Sequence, residues 1–202
     1  MSDTLNALSL LQFHDTALGT AGWPLDGGRA PASGVWRWIH ANHRHNSCLW
    51  HAEAKARRAD IGVHELAASK RLIDAHNTAR SEALDAIDDA ILEQLASVAH
   101  GAAARMSSET PGAMIDRLSV LALRIVHMRS QAQRGDASPA YAQECARKLR
   151  RLVVQRRDLA LCLDQLLRDA RQGRAYFKVY LPSRPEHDAP WHAAGAAASP
   201  VP

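Results

Sequence analysis

Between Leu66 and Ile91 the chain repeats at alternating three- and four-residue steps, through Leu66, Lys70, Ile73, Asn77, Arg80, Leu84, Ile87 and Ile91. That spacing puts every one of these side chains on a single face of an α-helix. The later half of the stripe is apolar, as a core-facing stripe should be. The earlier half sets Lys70, Asn77 and Arg80 on the same face, with Asp74 one step aside. A charge turned into a helical interior without a partner is strongly destabilising. Whatever this chain folds into must therefore satisfy those groups.

The same fault recurs in the other helical stretches. A helix predicted from Pro139 to Gln172 carries the stripe Cys145, Leu149, Leu152, Arg156, Leu159, Leu163, Leu166, apolar apart from one arginine. In a helix from Val35 to about Arg58, Asn46, Trp50 and Glu53 share a face, with His43 one turn earlier. A helix from Pro111 to about Arg134 has the core stripe Met114, Leu118, Leu121, Ile125, Met128. Beside it runs Asp116, Val120, Leu123, His127, polar at each end. Thr110 suits the N-cap of that helix and Pro111 its first position. Gly112 is the oddity, because glycine weakens a helix by ~1 kcal/mol relative to alanine. At this position it lets a group approach the exposed backbone N–H donors closely, as an anion site requires.

Punctuation by Gly and Pro completes the outline. A short N-terminal helix runs from about Thr4 to Ala17, a Gly/Pro-rich loop from Leu18 to Gly34, and the second long helix from Gly62 to His100. The stretch AYFKVYLP reads as a short strand or extended arm. Residues 1–182 form one helical domain, and the Pro-, Ala- and Gly-rich composition of 183–202 predicts a disordered tail. The expectation is an all-α fold: a bundle of four long helices plus a short N-terminal helix and an extended C-terminal arm.

Composition removes several classes. No apolar run approaches a membrane span, and the N-terminus lacks a signal-peptide pattern, so the expected location is cytoplasmic. Three unpatterned cysteines, Cys48, Cys145 and Cys162, argue against a disulfide scaffold or a zinc site, and no metal ligands are assigned. The net charge of +4 is uneven, acidic from Glu53 to Glu93 and basic from Tyr141 to Arg184. No basic–aromatic alternation supports nucleic acid as a partner.

Two readings of the inward polar groups compete. One is a structural ion-pair network joining Lys70, Arg80 and Arg156 to Glu53, Asp74 and Asp116. The other is an interior pocket in which those bases, with Asn46, Trp50, Asn77, Thr110, Gly112, Asp116 and Arg117, surround an anionic ligand. In the second reading His127, Asp74 and Glu53 are the candidates for proton transfer.

Several stretches resemble a bacterial family known as domain of unknown function 4254. They are His43 with Asn46-x-x-Leu49-Trp50-x-x-Glu53, then Lys70-Arg71-x-Ile73-Asp74-x-x-Asn77-x-x-Arg80, and Glu109-Thr110-Pro111-Gly112 with Ile115-Asp116-Arg117-Leu118-Ser119. His127-Met128 and Gln155-Arg156-x-Asp158-Leu159 agree as well, so the resemblance covers about Gly34 to Tyr180. It implies a compact helical protein that keeps company with glycosyltransferases building lipopolysaccharide or capsule, and it names no reaction or cofactor. The chain departs from that pattern where Ala54 follows Glu53 in place of a second acid, at Thr78 and Ser81-Glu82, and at Ser108.

The expectation is therefore a protein of surface-glycan biosynthesis that holds an anionic sugar, sugar phosphate or nucleotide sugar, as a transferase or hydrolase. A non-catalytic partner of a glycosyltransferase, docking through the basic last helix and tail, is the alternative. Glu53 with Asp85 and Asp88 also resembles the magnesium-holding layout of helical nucleotide pyrophosphohydrolases, a remoter reading weakened by Ala54. Asp85, Asp88 and Asp89 otherwise read as a solvated face. The spacing Arg71-x4-His76 matches a helical ribonuclease motif that short chance repeats also produce.

Overall fold

The computed structural model describes residues 5–25 and 33–180. Part of the Gly/Pro-rich loop and the expected disordered tail lie outside these residues. Their elements are α1 (Ala7–Gly19), α2 (Val35–Ala56), α3 (Val63–Leu95), β1 (Arg105–Met106), α4 (Pro111–Ala132), α5 (Pro139–Arg171) and β2 (Ala175–Tyr176). The all-α expectation holds, with the four long helices forming two hairpins, α2 on α3 and α4 on α5. α4 also touches α1, α2 and α3, so it runs through the middle of the bundle.

Caps explain where the helices begin. The Asn6 side chain accepts from the Ser9 N–H, which starts α1 two residues later than Thr4 would. Thr110 accepts from Ala113 as its position foretold, and Ser138 accepts from Tyr141. α5 ends at Gly173, whose φ of +67° is left-handed. Any Cβ there would meet the Ala99 carbonyl oxygen at 2.3 Å. The Gly173 carbonyl accepts from the Gly101 N–H, and the chain continues as β2, parallel to β1. Ala175–Tyr176 is thus a two-residue strand, while Arg105–Met106 carried no strand signal in the sequence.

The main core joins Leu10, Val35, Ile39, Ile87, Ile91, Ile115, Leu118, Leu163, Leu166 and Phe177. Ile87 and Ile91 come from the apolar half of the α3 stripe. In the polar half the expectation fails: Leu66, Lys70 and Asn77 are exposed, and between Val63 and Arg80 only Ser69 is buried. The first half of α3 has α2 as its packing partner and solvent elsewhere, so its stripe never enters a core. A second, smaller apolar cluster of Leu121, Ile125 and Leu152 sits between α4 and α5.

Beneath α1 lies a buried aromatic group. His14 and His43 are fully buried, with ring centroids 4.4 Å apart, and Trp23 stacks on His43 at 5.3 Å. Burial, with the nearby Arg156 charge adding to it, lowers the His43 imidazole to about 3. Burial and the His43 and Arg156 charges lower His14 well below its ordinary value. An unfolded chain binds these protons near pH 6.5, and the folded chain refuses them until far lower pH. Stability is therefore complete above about pH 6.5 and falls as the solution is acidified, by about 1.4 kcal/mol per pH unit for each ring. Half-buried His45 and His76 add smaller contributions of the same sign. Urea midpoints measured from pH 7 to pH 5 should drop steadily, and His14→Leu should flatten the decline.

Candidate functional site

One carboxylate gathers the polar groups of three helices. Asp116 is buried on α4 and accepts Arg80 Nε at 2.7 Å and Arg80 Nη2 at 2.5 Å, a two-pronged ion pair from α3. From α2, Asn42 Nδ2 and Asn46 Nδ2 each donate to it at 2.9 Å. Asn46 also donates to Ser119 Oγ at 3.0 Å, and Ser119 Oγ meets His43 Nδ1 at 2.8 Å. Burial alone would raise the Asp116 carboxyl. The hydrogen bonds from Arg80, Asn46 and Asn42 outweigh it and hold the group below the ordinary carboxylate range. A carboxylate so fully engaged stays charged, which suits anchoring better than proton transfer.

The glycine that opens α4 answers to a second internal carboxylate. The Gly112 N–H donates to Asp88 Oδ1 at 2.6 Å, and a Cβ on Gly112 would sit 2.8 Å from both Asp88 and the Leu84 carbonyl oxygen. The anion at this helix N-terminus is therefore a side chain of α3. This corrects two expectations. Asp88 is buried, not on a solvated face, and Gly112 is not open to a ligand. Asp88 nonetheless feels its burial, which raises its carboxyl against the hydrogen bonds from Thr110 and Gly112.

Arg80, Lys70 and Arg156 do not come together. Lys70 is exposed on the solvated part of α3. Arg156 is buried, but it turns towards α1, donating to Asp15 Oδ1 at 2.7 Å and the Leu11 carbonyl at 3.2 Å. It fastens the N-terminal helix, and the single interior pocket expected around the three bases is absent from the described residues. Asp74 and Asn77 are exposed, and Glu53 pairs with Arg57 at 2.5 Å, so none of these lines the cleft described next.

That cleft runs along the seam between α4 and α5 as two successive hollows. The larger, about 670 Å³, is lined by Arg80, Asp116, Glu109, Arg117, Asp158 and Cys162 among others. The smaller, about 420 Å³, is lined by Trp50, His127, Lys148, Arg151 and Leu152 among others. Arg124 and Gln155 line both, which makes the seam continuous. Trp50 and His127 meet edge to face with centroids 5.3 Å apart. Arg117 is paired with Glu109, and Lys148 sits 3.6 Å from Glu144. Arg124 and Arg151 have no ion-pair partner among the described residues.

Of the residues singled out in the sequence, the seam collects Trp50, Arg80, Asp116, Arg117 and His127. It leaves out Lys70, Asn77, Gly112, Arg156, Asp74 and Glu53. Asn46 and Thr110 act behind it, Asn46 on Asp116 and Thr110 as a cap. The sequence reading gave no pocket role to Arg124, Lys148, Arg151, Gln155, Asp158 or Cys162, although Gln155 and Asp158 stand in a stretch that resembles the family and Arg151 on the basic last helix. A signal was present: on α5 the five positions 148, 151, 155, 158 and 162 follow three- and four-residue steps, a polar stripe flanking the apolar one.

Residues 36–179 match the family described as "Protein of unknown function (DUF4254)". The chain belongs to this family. No curated protein and no solved structure matches it. The DUF4254 match takes in α2 through β2, so every residue of the seam lies inside it, while α1 precedes it. No described helix is long and apolar enough to cross a membrane. Among the described residues no three His, Cys, Asp or Glu side chains converge as metal ligands.

Two substitutions test this geometry. Asp116→Ala strands Arg80, Asn42 and Asn46 together and should cost about 3–5 kcal/mol in urea denaturation. Gly112→Ala should lower stability by about 1–3 kcal/mol, the reverse of the gain usual for an exposed helical glycine, because the new methyl overlaps a backbone carbonyl. A neutral or stabilising result would contradict the Asp88 contact.

Proposed function

We propose that this chain binds an anionic sugar or sugar-phosphate precursor during assembly of a bacterial surface glycan, in the α4–α5 seam. The observation that carries the reading is the pair Arg124 and Arg151, two cations with no ion-pair partner among the described residues, lining one hollow with Trp50 and His127. Cations held without carboxylate partners suit phosphate oxygens, and an aromatic face beside them suits a ring. In the adjoining hollow, Glu109 and Asp158 offer acceptors to hydroxyl groups. The glycan context comes from the resemblance to the family, which implies company with glycosyltransferases and names no reaction. Transfer or hydrolysis of the phosphorylated sugar fits the seam equally well, and His127 is the group in it suited to moving a proton.

A second reading is supported by the outer face of α5. Arg147, Arg150, Val154, Arg157, Leu161 and Arg168 follow one another at helical spacing and are all exposed. A non-catalytic partner docking there would leave the seam without a ligand.

Cys162 is exposed and lines the larger hollow, whereas Cys145 is buried. In a Cys48→Ser background, saturating glucose 1-phosphate should slow maleimide labelling of Cys162. Arg124→Gln with Arg151→Gln should abolish that protection while leaving the melting temperature within a degree or two. If protection is absent and Arg150→Glu with Arg157→Glu alone disrupts glycan assembly in cells, the docking reading takes its place.

A further inference from the structure

The seam is too long for a monosaccharide phosphate. On α4 it is lined from Met114 to Met128, about 21 Å of helix at 1.5 Å per residue. The antiparallel wall of α5 follows it from Cys162 back to Lys148. The chemistry also changes along its length. One end mixes cations with carboxylates, Arg80 with Asp116 and Arg117 with Glu109, and adds Asp158. Paired charges of this kind have little net attraction for an anion, but they present acceptors and donors to neutral hydroxyl groups. The other end has the aromatic edge-to-face pair of Trp50 and His127, with Met128 and Leu152 around it. Between the two lies Arg124, with Arg151 close by in the smaller hollow.

We infer that the ligand is a nucleoside diphosphate sugar, lying lengthwise in the seam with its base on Trp50 and His127. The diphosphate spans Arg124 and Arg151, and Lys148 adds charge on the base side. The sugar occupies the larger hollow, where Glu109 and Asp158 accept from its hydroxyls and Gln155 stands at the junction. Each part meets the side chains its chemistry suits: a π-face for the base, unpaired guanidinium groups for the phosphates, and engaged carboxylates for a polyol. The order along the groove is fixed by the position of Arg124, the cation common to both hollows. This assignment rests on the seam being the ligand site proposed above, and it adds the class and direction of the ligand.

Binding is measured by calorimetry on the full chain with glucose 1-phosphate, with ADP, GDP, UDP and CDP, and with the glucose ester of each diphosphate. At least one nucleoside diphosphate glucose should bind about tenfold or more tightly than both its parent diphosphate and glucose 1-phosphate. Trp50→Ala should remove about tenfold of that affinity and leave glucose 1-phosphate unchanged, since stacking of one base is worth about that much. Arg124→Gln should weaken every phosphate-bearing probe. Trp50→Phe keeps an aromatic face and should retain most of the affinity, which separates stacking from a folding defect. If glucose 1-phosphate binds as tightly as any of the glucose esters, or if Trp50→Ala is silent, the nucleotide assignment is wrong and the sugar-phosphate reading stands. If none of the probes binds, both are wrong.

Discussion

A single buried carboxylate organises this bundle. Asp116 takes its four hydrogen bonds from two different helices, and α4 supplies the carboxylate itself, so α2, α3 and α4 are clamped at one point. Burial of apolar surface does not by itself forbid slippage between helices, because the hydrophobic effect is non-directional. Two asparagine amides and a forked guanidinium on one carboxylate do not, and they fix the register of all three helices together. Arg80 is held at its inner end and faces the seam with its outer edge, since about a third of its side chain remains exposed. The structural anchor and the wall of the cleft are thus one ion pair.

Of the two readings of the inward polar residues, the ion-pair one holds for Arg80 and, with a different partner, for Arg156, while the three bases share no pocket among the described residues. Arg80 with Asp116 is an ion-pair network, as is Arg156 with Asp15. The first of these also borders an accessible cleft, and the second secures α1. Periodicity could not separate them. A stripe says which side chains share a face, and it is silent on whether that face meets a neighbour or water. Lys70 and Arg80 share one stripe of α3, yet Arg80 reaches the middle of the bundle while Lys70 stays where only α2 lies alongside. The partner Asp15 came from a helix whose residues carried no polar signal of note.

Helix existence was legible because it depends on local steps. Thr110 and Pro111 announced the start of α4, and Gly173 the end of α5, through backbone rules that hold without tertiary context. Gly112 was legible as an exception and illegible as to its cause. A glycine opening a helix signals that something approaches closely, and an internal carboxylate and a ligand make the same demand. The acidic run that supplied the answer, Asp85 to Asp89, read as solvated because only Asp88 in it turns inward. The seam cations were hidden for a related reason. Arg124 and Arg151 sit beside the core stripes, where a charged residue is ordinary, and only the pairing of α4 with α5 makes them neighbours.

The small apolar cluster of Leu121, Ile125 and Leu152 lies between the same two helices that form the cleft, and Leu159 packs against both it and the main core. Interior packing resists deformation where side chains interlock in one continuous mass. Here the cleft stands on a small patch, inside a hairpin closed by a short turn. Its floor rests on few interlocked side chains, while Ile87, Ile115 and Leu163 belong to the main core. A change of volume at Leu121, Ile125 or Leu152 would therefore reshape the floor of the cleft directly.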